Sequence, residues 1–266
     1  MAMRNTRSLP PEPDELDEPS RFASARRAFR YARRAVIAVV TVAGVLAIAA
    51  GVLWLATPSA SEATGLAAQQ ARAHHIAYPG PGVPANFARA LVATEDHRFY
   101  TEPGVDLIAV GRVVWGKITG GGDQGGATIE QQLAKMLYTP GKAGFGAELT
   151  QVVLAVKLNL AYPKQQLLDL YAETAYYGHG YSGLEAASCG YFGHPAADLT
   201  VVQGAMLAGV VNAPSADDPV SDPANARARL EHVIARMEAV GYLTKAQARQ
   251  ALAAPLGLTA SRGPGC

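Results

Sequence analysis

Glu95 and Glu148 are the two residues of this chain whose type and setting best suit chemistry. Glu95 lies in ATEDHRFYTEPGVD, residues 93–106. Glu148 opens an apolar stretch that follows GGATIEQQLAKML at 125–137. Two positioned carboxylates with amide and cationic neighbours fit transfer at an anomeric carbon. One takes a proton from the attacking hydroxyl, and the other helps the leaving group depart. An isolated Glu-Asp pair is usually a solvated surface, so the elements around each acid must decide.

Phe87, Ala90 and Leu91 recur at helical spacing, which predicts a helix over 85–95 that ends near Glu95. Pro103-Gly104 then turns the chain. An acid at the end of a partly buried helix suits a general base. Thr128 and Gln131 fit a capping box and start a second helix. Gln132 and Lys135 share one of its faces, three residues apart, and offer an amide and a cation. The glycine-rich run at 120–126 either only leads into that helix or holds phosphate oxygens on free N–H groups. It lacks the Lys-Ser/Thr ending of a nucleotide P-loop, so ATP is not expected. Leu149, Val152, Val153, Val156 and Leu160 predict an amphipathic helix with Glu148 in its first turn. The helix dipole favours a carboxylate there whatever its role. Further helices are expected from Gln165 to about Tyr176 and over 184–192.

In order, EDHRFYTEPGVD, GGATIEQQLAKML, the Glu148 helix, LLDLYAETAYYGHGYSGLEAASCGYFG and LTVVQGAMLAGVVNAPSADDP resemble the five motifs of the peptidoglycan glycosyltransferases. That domain is shared by monofunctional biosynthetic transglycosylases and class A penicillin-binding proteins. The resemblance covers about 85–245, closing helices at 225–248 included. It implies a mainly α, lysozyme-like glycosyltransferase domain that polymerises lipid II into glycan strands with inversion at the sugar. It implies that Glu95 takes the acceptor's proton and that Glu148 assists departure of the lipid pyrophosphate. Gln131, Gln132 and Lys135 would line the donor site. Asp96, Arg98 and Thr128 match family positions and join them as substrate-binding residues. Lys142 would partly replace a basic pair that GFGA at 144–147 displaces. Tyr171, Gly178, Gly183 and Phe192 match positions of structural character.

The chain departs from the family pattern. Glu102 stands for a usual His, Ala127 for Ser, Glu130 for Thr, Glu173 for Asn and Gln203 for Glu. Three of these changes add negative charge near the expected pyrophosphate site. At about 4 Å each repulsion is worth about 1 kcal/mol in water and about 4 kcal/mol at an effective dielectric near 20. Arg112, Lys157 and Lys164, or a divalent cation (Mg2+ or Mn2+) held by the extra carboxylates, would offset it. Two other readings follow. One is a binding module that captures the precursor or a cell-wall synthesis partner without turnover. The other is a lytic enzyme that cleaves finished glycan.

A net charge of +1 over 266 residues excludes a general electrostatic pull toward nucleic acid. Cys189 and Cys266 make no disulfide framework, and Cys189 is expected as a small core residue. The six histidines show no metal-ligand spacing, so no metal site is expected of them.

Residues 35–57 carry no charge and are long enough to cross a bilayer. Arg21, Arg26, Arg27, Arg30, Arg33 and Arg34 precede them, and the next basic residue is Arg72. The positive-inside rule then places the N-terminus in the cytoplasm and the rest outside a bacterial plasma (inner) membrane. Small residues at 56–63 leave cleavage open. The expected organisation is a disordered, basic tail at 1–34, a transmembrane helix at 35–57 and a linker at 58–84. A glycosyltransferase-like domain follows at 85–255, and then a flexible tail at 256–266. LIAVGRVVWGKI at 107–118 is apolar and reads equally as a core helix or as the membrane-dipping surface, admitting a lipid chain, that the family resemblance implies. Transpeptidase signatures are not seen, so one activity is expected. The implied partners are lipid II, the growing glycan, the membrane and cell-wall synthesis proteins.

Overall fold

A computed structural model describes residues 18–106, 126–259 and 266. The expectations for 1–17, 107–118 and most of the glycine-rich loop fall outside those residues. The described residues are helical, with a single isolated bridge between Tyr176 and Ser182 and no strand among them. The chain divides into two units, Met1–Leu55 and Ala56–Cys266.

The first unit holds nearly all of helix α1, Glu18–Ala56. An 18-residue window of this helix reaches a mean hydropathy of 2.7 and none of it is buried. The helix is therefore long and apolar enough to cross a membrane.

In the second unit, 58–84 is more than the expected linker. A short 3-10 turn at Ala60–Glu62 leads into α2, Ala63–Ala73, which buries Ala63, Ala67 and Ala71 against the core. Lys157 Nζ donates to the Thr57 and Pro58 carbonyls at 2.9 and 3.1 Å, and the Tyr162 hydroxyl donates to that of Ala60 at 3.0 Å. Each small alanine lets one helix lie close on another, which a flexible linker could not do.

The predicted helices form where their spacing placed them. Helix α3 spans Ala85–Glu95, α4 Ile129–Tyr138, α5 Phe145–Ala161, α6 Lys164–Thr174 and α7 Leu184–Phe192. Then come α8 at Val201–Val210, α9 at Pro223–Ala239 and α10 at Lys245–Ala253. Helix α8 is apolar on nearly every side and packs against α3 and α9. Gly204 makes the α3 approach feasible, since a Cβ there would lie 2.9 Å from Asn86 C and Phe87 N. Helix α4 packs on α5 and α6. Leu133, Leu154, Leu158 and Leu168 are fully buried in that group, each worth about 1.5–3 kcal/mol relative to exposure.

The C-terminal segment also departs from expectation. Thr259 N–H donates to the Tyr191 carbonyl at 2.9 Å, and Cys266 forms a disulfide with Cys189. Cys189 is buried as expected, but as half of a cross-link rather than as a free small residue.

Candidate active site

Helix α3 ends at Glu95, and the next residue turns its carboxyl toward α4. Asp96 Oδ2 accepts the Ile129 N–H at 3.2 Å, which satisfies one donor at the α4 N-terminus. Thr128 caps α4 in a full capping box with Gln131, and its hydroxyl donates to the Gly104 carbonyl at 2.8 Å. Gly104 has φ +86, and a Cβ there would lie 2.5 Å from the Ala155 carbonyl oxygen, so only glycine fits. These bonds fix α4 against the end of α3. Gln132 thereby faces Glu95.

Glu95 is held from three sides. Arg229 Nη2 donates to Oε1 at 2.9 Å, Gln132 Nε2 donates to Oε2 at 3.0 Å, and Asn212 Nδ2 approaches both oxygens at 3.4 Å. The Tyr171 hydroxyl donates to Gln132 Oε1 at 2.8 Å. That bond assigns the amide, because its oxygen is engaged by the phenol and its nitrogen must face Glu95. Burial first, and then the Glu95 charge, hold the Tyr171 hydroxyl above its ordinary range, so it remains a donor. The Glu95 side chain is only 8% exposed, yet it borders an open cavity of about 870 Å³. Gln132, Lys135, Tyr171, Asn212 and Arg229 line the same cavity. Among the described residues it is a basic, amide-rich groove with one carboxylate at its wall.

The residues singled out from the sequence separate into groups. Glu95, Gln132 and Lys135 come together on the groove. Asp96, Thr128 and Gln131 support it from beneath, through the bonds already given, and none of them lines it. Arg98 pairs with Asp106. Lys142 and Glu148 are exposed, and neither is among the lining residues. Gly126 and Ala127 do line the groove.

Arg229 and Asn212 are functional candidates that the sequence reading passed over. Arg229 had a legible signal. On α9 it shares a stripe with the buried Ala226, Leu230 and Val233, where a guanidinium needs a partner. Asn212 follows α8 and gave no such signal.

Four of the departures from the family pattern also stay away from the groove lining. Glu173 Oε1 accepts the Gly80 N–H at 2.7 Å. Gln203 completes the capping box of α8 with Thr200 and donates to the Leu256 carbonyl at 3.2 Å. Glu102 and Glu130 meet Asp96 in a buried cluster, with Lys164 Nζ 2.6 Å from Glu130 Oε1. Burial, then hydrogen bonding to Asp96 and the charges of Asp96 and Glu130, push the Glu102 carboxyl up to about 8 against the pull of Lys164. None of these four side chains therefore stands on the lining of the groove.

Comparison with known proteins settles the relationship. The family model described as Transglycosylase matches residues 63–238. This chain belongs to the transglycosylase family. Penicillin-binding protein 1F of Bacillus subtilis is 38% identical over 177 residues, covering 66% of this chain and 25% of that one. Penicillin-binding protein 1A of Neisseria flavescens is 38% identical over 164 residues, covering 61% and 21%. A putative transglycosylase of Cupriavidus necator is 35% identical over 176 residues, covering 66% and 76%. The chain thus spans about a quarter of the length of the penicillin-binding proteins and three quarters of the Cupriavidus protein. Its matching region is a lysozyme-like glycosyltransferase domain of the class A penicillin-binding protein type.

Proposed function

We propose that this chain polymerises lipid II into peptidoglycan glycan strands by inverting glycosyl transfer. The observation that carries the proposal is Glu95 at the wall of an open groove, hydrogen-bonded to Arg229 and Gln132. A carboxylate so placed accepts the proton of an acceptor sugar hydroxyl as that oxygen bonds to the donor's anomeric carbon. The bond from that carbon to the pyrophosphate oxygen breaks, and the pyrophosphate leaves with the electron pair. Lys135, exposed on the same groove, suits the departing phosphates. Glu148 is assigned to assisting departure. It stands in the first turn of α5, outside the described lining, and would have to act on the departing pyrophosphate from there. Helix α1 would anchor the domain in a bacterial plasma membrane, with the arginines before residue 35 on the cytoplasmic side.

Purified full-length chain in detergent, given lipid II, is expected to make polymer. Glu95→Gln should lower the rate by about 10²–10⁴-fold, the usual effect of removing a general base. A folded wild type that makes no polymer with Mg2+, Mn2+ or Ca2+ supplied ends the enzymatic reading. A second reading is favoured by one observation, the exposed position of Glu148 away from the lining. In it the groove captures lipid II without turnover. Saturable lipid II binding by an inert wild type selects it.

A further inference from the structure

Beneath the groove, three carboxyl groups converge where water does not reach. Asp96, Glu102 and Glu130 are 7%, 9% and 0% exposed. Each offers an oxygen, and those oxygens all lie within 4.8 Å of one another. Apart from the Asp96 carboxyl beside Glu102, no N–H or O–H group among the described residues donates to either Glu102 oxygen or to Glu130 Oε2. Glu102 has the Asp96 carboxyl as its neighbour, and two carboxyls can meet only by sharing a proton or a cation. Lys164 satisfies Glu130 Oε1 alone and leaves Oε2 turned to the cluster. A bound cation would hold all three acids ionised, and with the one ammonium counted the cluster would then carry −2. A single divalent cation balances it.

We propose that a divalent metal ion binds between Asp96, Glu102 and Glu130, on a site separate from the sugar-transfer groove. The spacing suits Ca2+. Oxygens bound at about 2.3–2.6 Å can lie up to about 5.2 Å apart, whereas Mg2+ at about 2.1 Å closes to about 4.2 Å and gives up its water reluctantly. An all-carboxylate set also accepts Mn2+. The ion would join three elements: the end of α3 that carries Glu95, the turn at Glu102, and the first turn of α4 two residues before Gln132. It would set the wall of the groove without touching substrate. Two of its three ligands, Glu102 and Glu130, stand where the family resemblance places His and Thr, so the site belongs to this chain rather than to the family pattern.

The test requires no lipid II, and its outcome is independent of the glycosyl-transfer proposal. Full-length protein in detergent, stripped with EDTA, is titrated with CaCl2 by calorimetry and with MnCl2 by electron paramagnetic resonance. One ion per chain is expected. Glu130→Gln and the family-like double variant Glu102→His/Glu130→Thr should each bind at least tenfold more weakly. Lys164→Met, which removes the competing ammonium, should bind more tightly. Circular dichroism identifies any variant that fails to fold, and a failure of uptake by wild type is read without any variant. No stoichiometric uptake of either ion by folded wild type overturns the proposal. So does equal uptake by wild type and by folded Glu130→Gln, which would place the ion elsewhere.

Discussion

Arg229 and Glu95 stand 134 positions apart in the chain and 2.9 Å apart in space. The guanidinium arrives from α9 and the carboxylate from the end of α3. Arg229 Nε also donates to the Gly209 carbonyl at 3.2 Å, so the end of α8 aims it. The ion pair thus ties three helices together at the wall of the groove. Removing one partner of a buried pair leaves the other uncompensated, at about 3–5 kcal/mol. Arg229 is 20% exposed and Glu95 8%, which argues for the lower end. Arg229→Met is expected to lower stability by about 2–3 kcal/mol in chemical denaturation and polymerisation by more than tenfold. A variant with unchanged polymerisation would remove Arg229 from the site.

The Tyr171–Gln132–Glu95 chain makes a finer prediction. Tyr171→Phe deletes only the hydroxyl that fixes the Gln132 amide. The stability cost should be about 1 kcal/mol, that of a typical hydrogen bond. The catalytic cost should be larger, because the freed amide can turn its oxygen toward Glu95 and repel it. Steady-state rates and melting curves measured on the same preparation test this. A rate loss no greater than the stability loss implies would show that the phenol only packs.

These two relationships mark how far the sequence could be read. Helical spacing located α3 and its end at Glu95, and Thr128 with Gln131 announced the start of α4, because both signals are local in the chain. Gln132 and Lys135 followed from their shared helical face. The partners of Glu95 did not, since Arg229 and Asn212 come from 134 and 117 residues away and only packing brings them in. The same holds for Glu102 and Glu130. Read along the chain they look like charge added to the substrate site. In three dimensions they turn inward to Asp96 and Lys164. The length 58–84 read as a linker because alanine and glycine are abundant in flexible segments. Three alanines at helical spacing instead made a helix with a buried face.

Asp218 gives the pH prediction. Burial pushes its carboxyl up, but the Val220 and Ser221 N–H groups, the Ser221 hydroxyl and His179 together outweigh that and hold it below its ordinary value of 3.8. Its folded-state value is depressed, so its stabilisation is fully present above pH 3.8 and is lost as the pH falls through the folded value. Asp218→Asn is expected to cost about 1–3 kcal/mol at neutral pH. The gap from wild type should close as the pH drops below 3.8. Denaturation at pH 7 and at acid pH measures it. A gap independent of pH would mean that the side chain's shape matters and its charge does not.

The Cys189–Cys266 cross-link closes 77 residues, from α7 to the end of the chain. In the chain-entropy account such a loop stabilises the fold by roughly 4–5 kcal/mol, by restricting the unfolded state. Cys266→Ser should lower the melting temperature by several degrees under oxidising conditions and have no effect once wild type is reduced. Polymerisation at low temperature should be unaltered, because neither cysteine lines the groove. Equal melting of the oxidised proteins would show that the bond does not form in solution.

Gly209 separates the two roles of Arg229, support of the fold and orientation of Glu95. A Cβ at this position would lie 2.9 Å from Arg229 Cγ and 3.3 Å from Val233 Cγ2. The first neighbour is the base of the Arg229 side chain rather than its mobile tip, so Gly209→Ala must displace the whole arginine arm, and Val233 must yield a few tenths of an ångström. Alanine also gains up to about 1 kcal/mol of helix propensity over glycine, which offsets part of the crowding. The variant should therefore melt within a few degrees of wild type while its polymerisation falls severalfold, since the guanidinium no longer meets Glu95 at its native angle. Gly209→Ala combined with Arg229→Met should be no slower than Arg229→Met alone, because the glycine acts only through the arginine. Additive losses in the double variant would place the effect of Gly209 elsewhere in the helix interface.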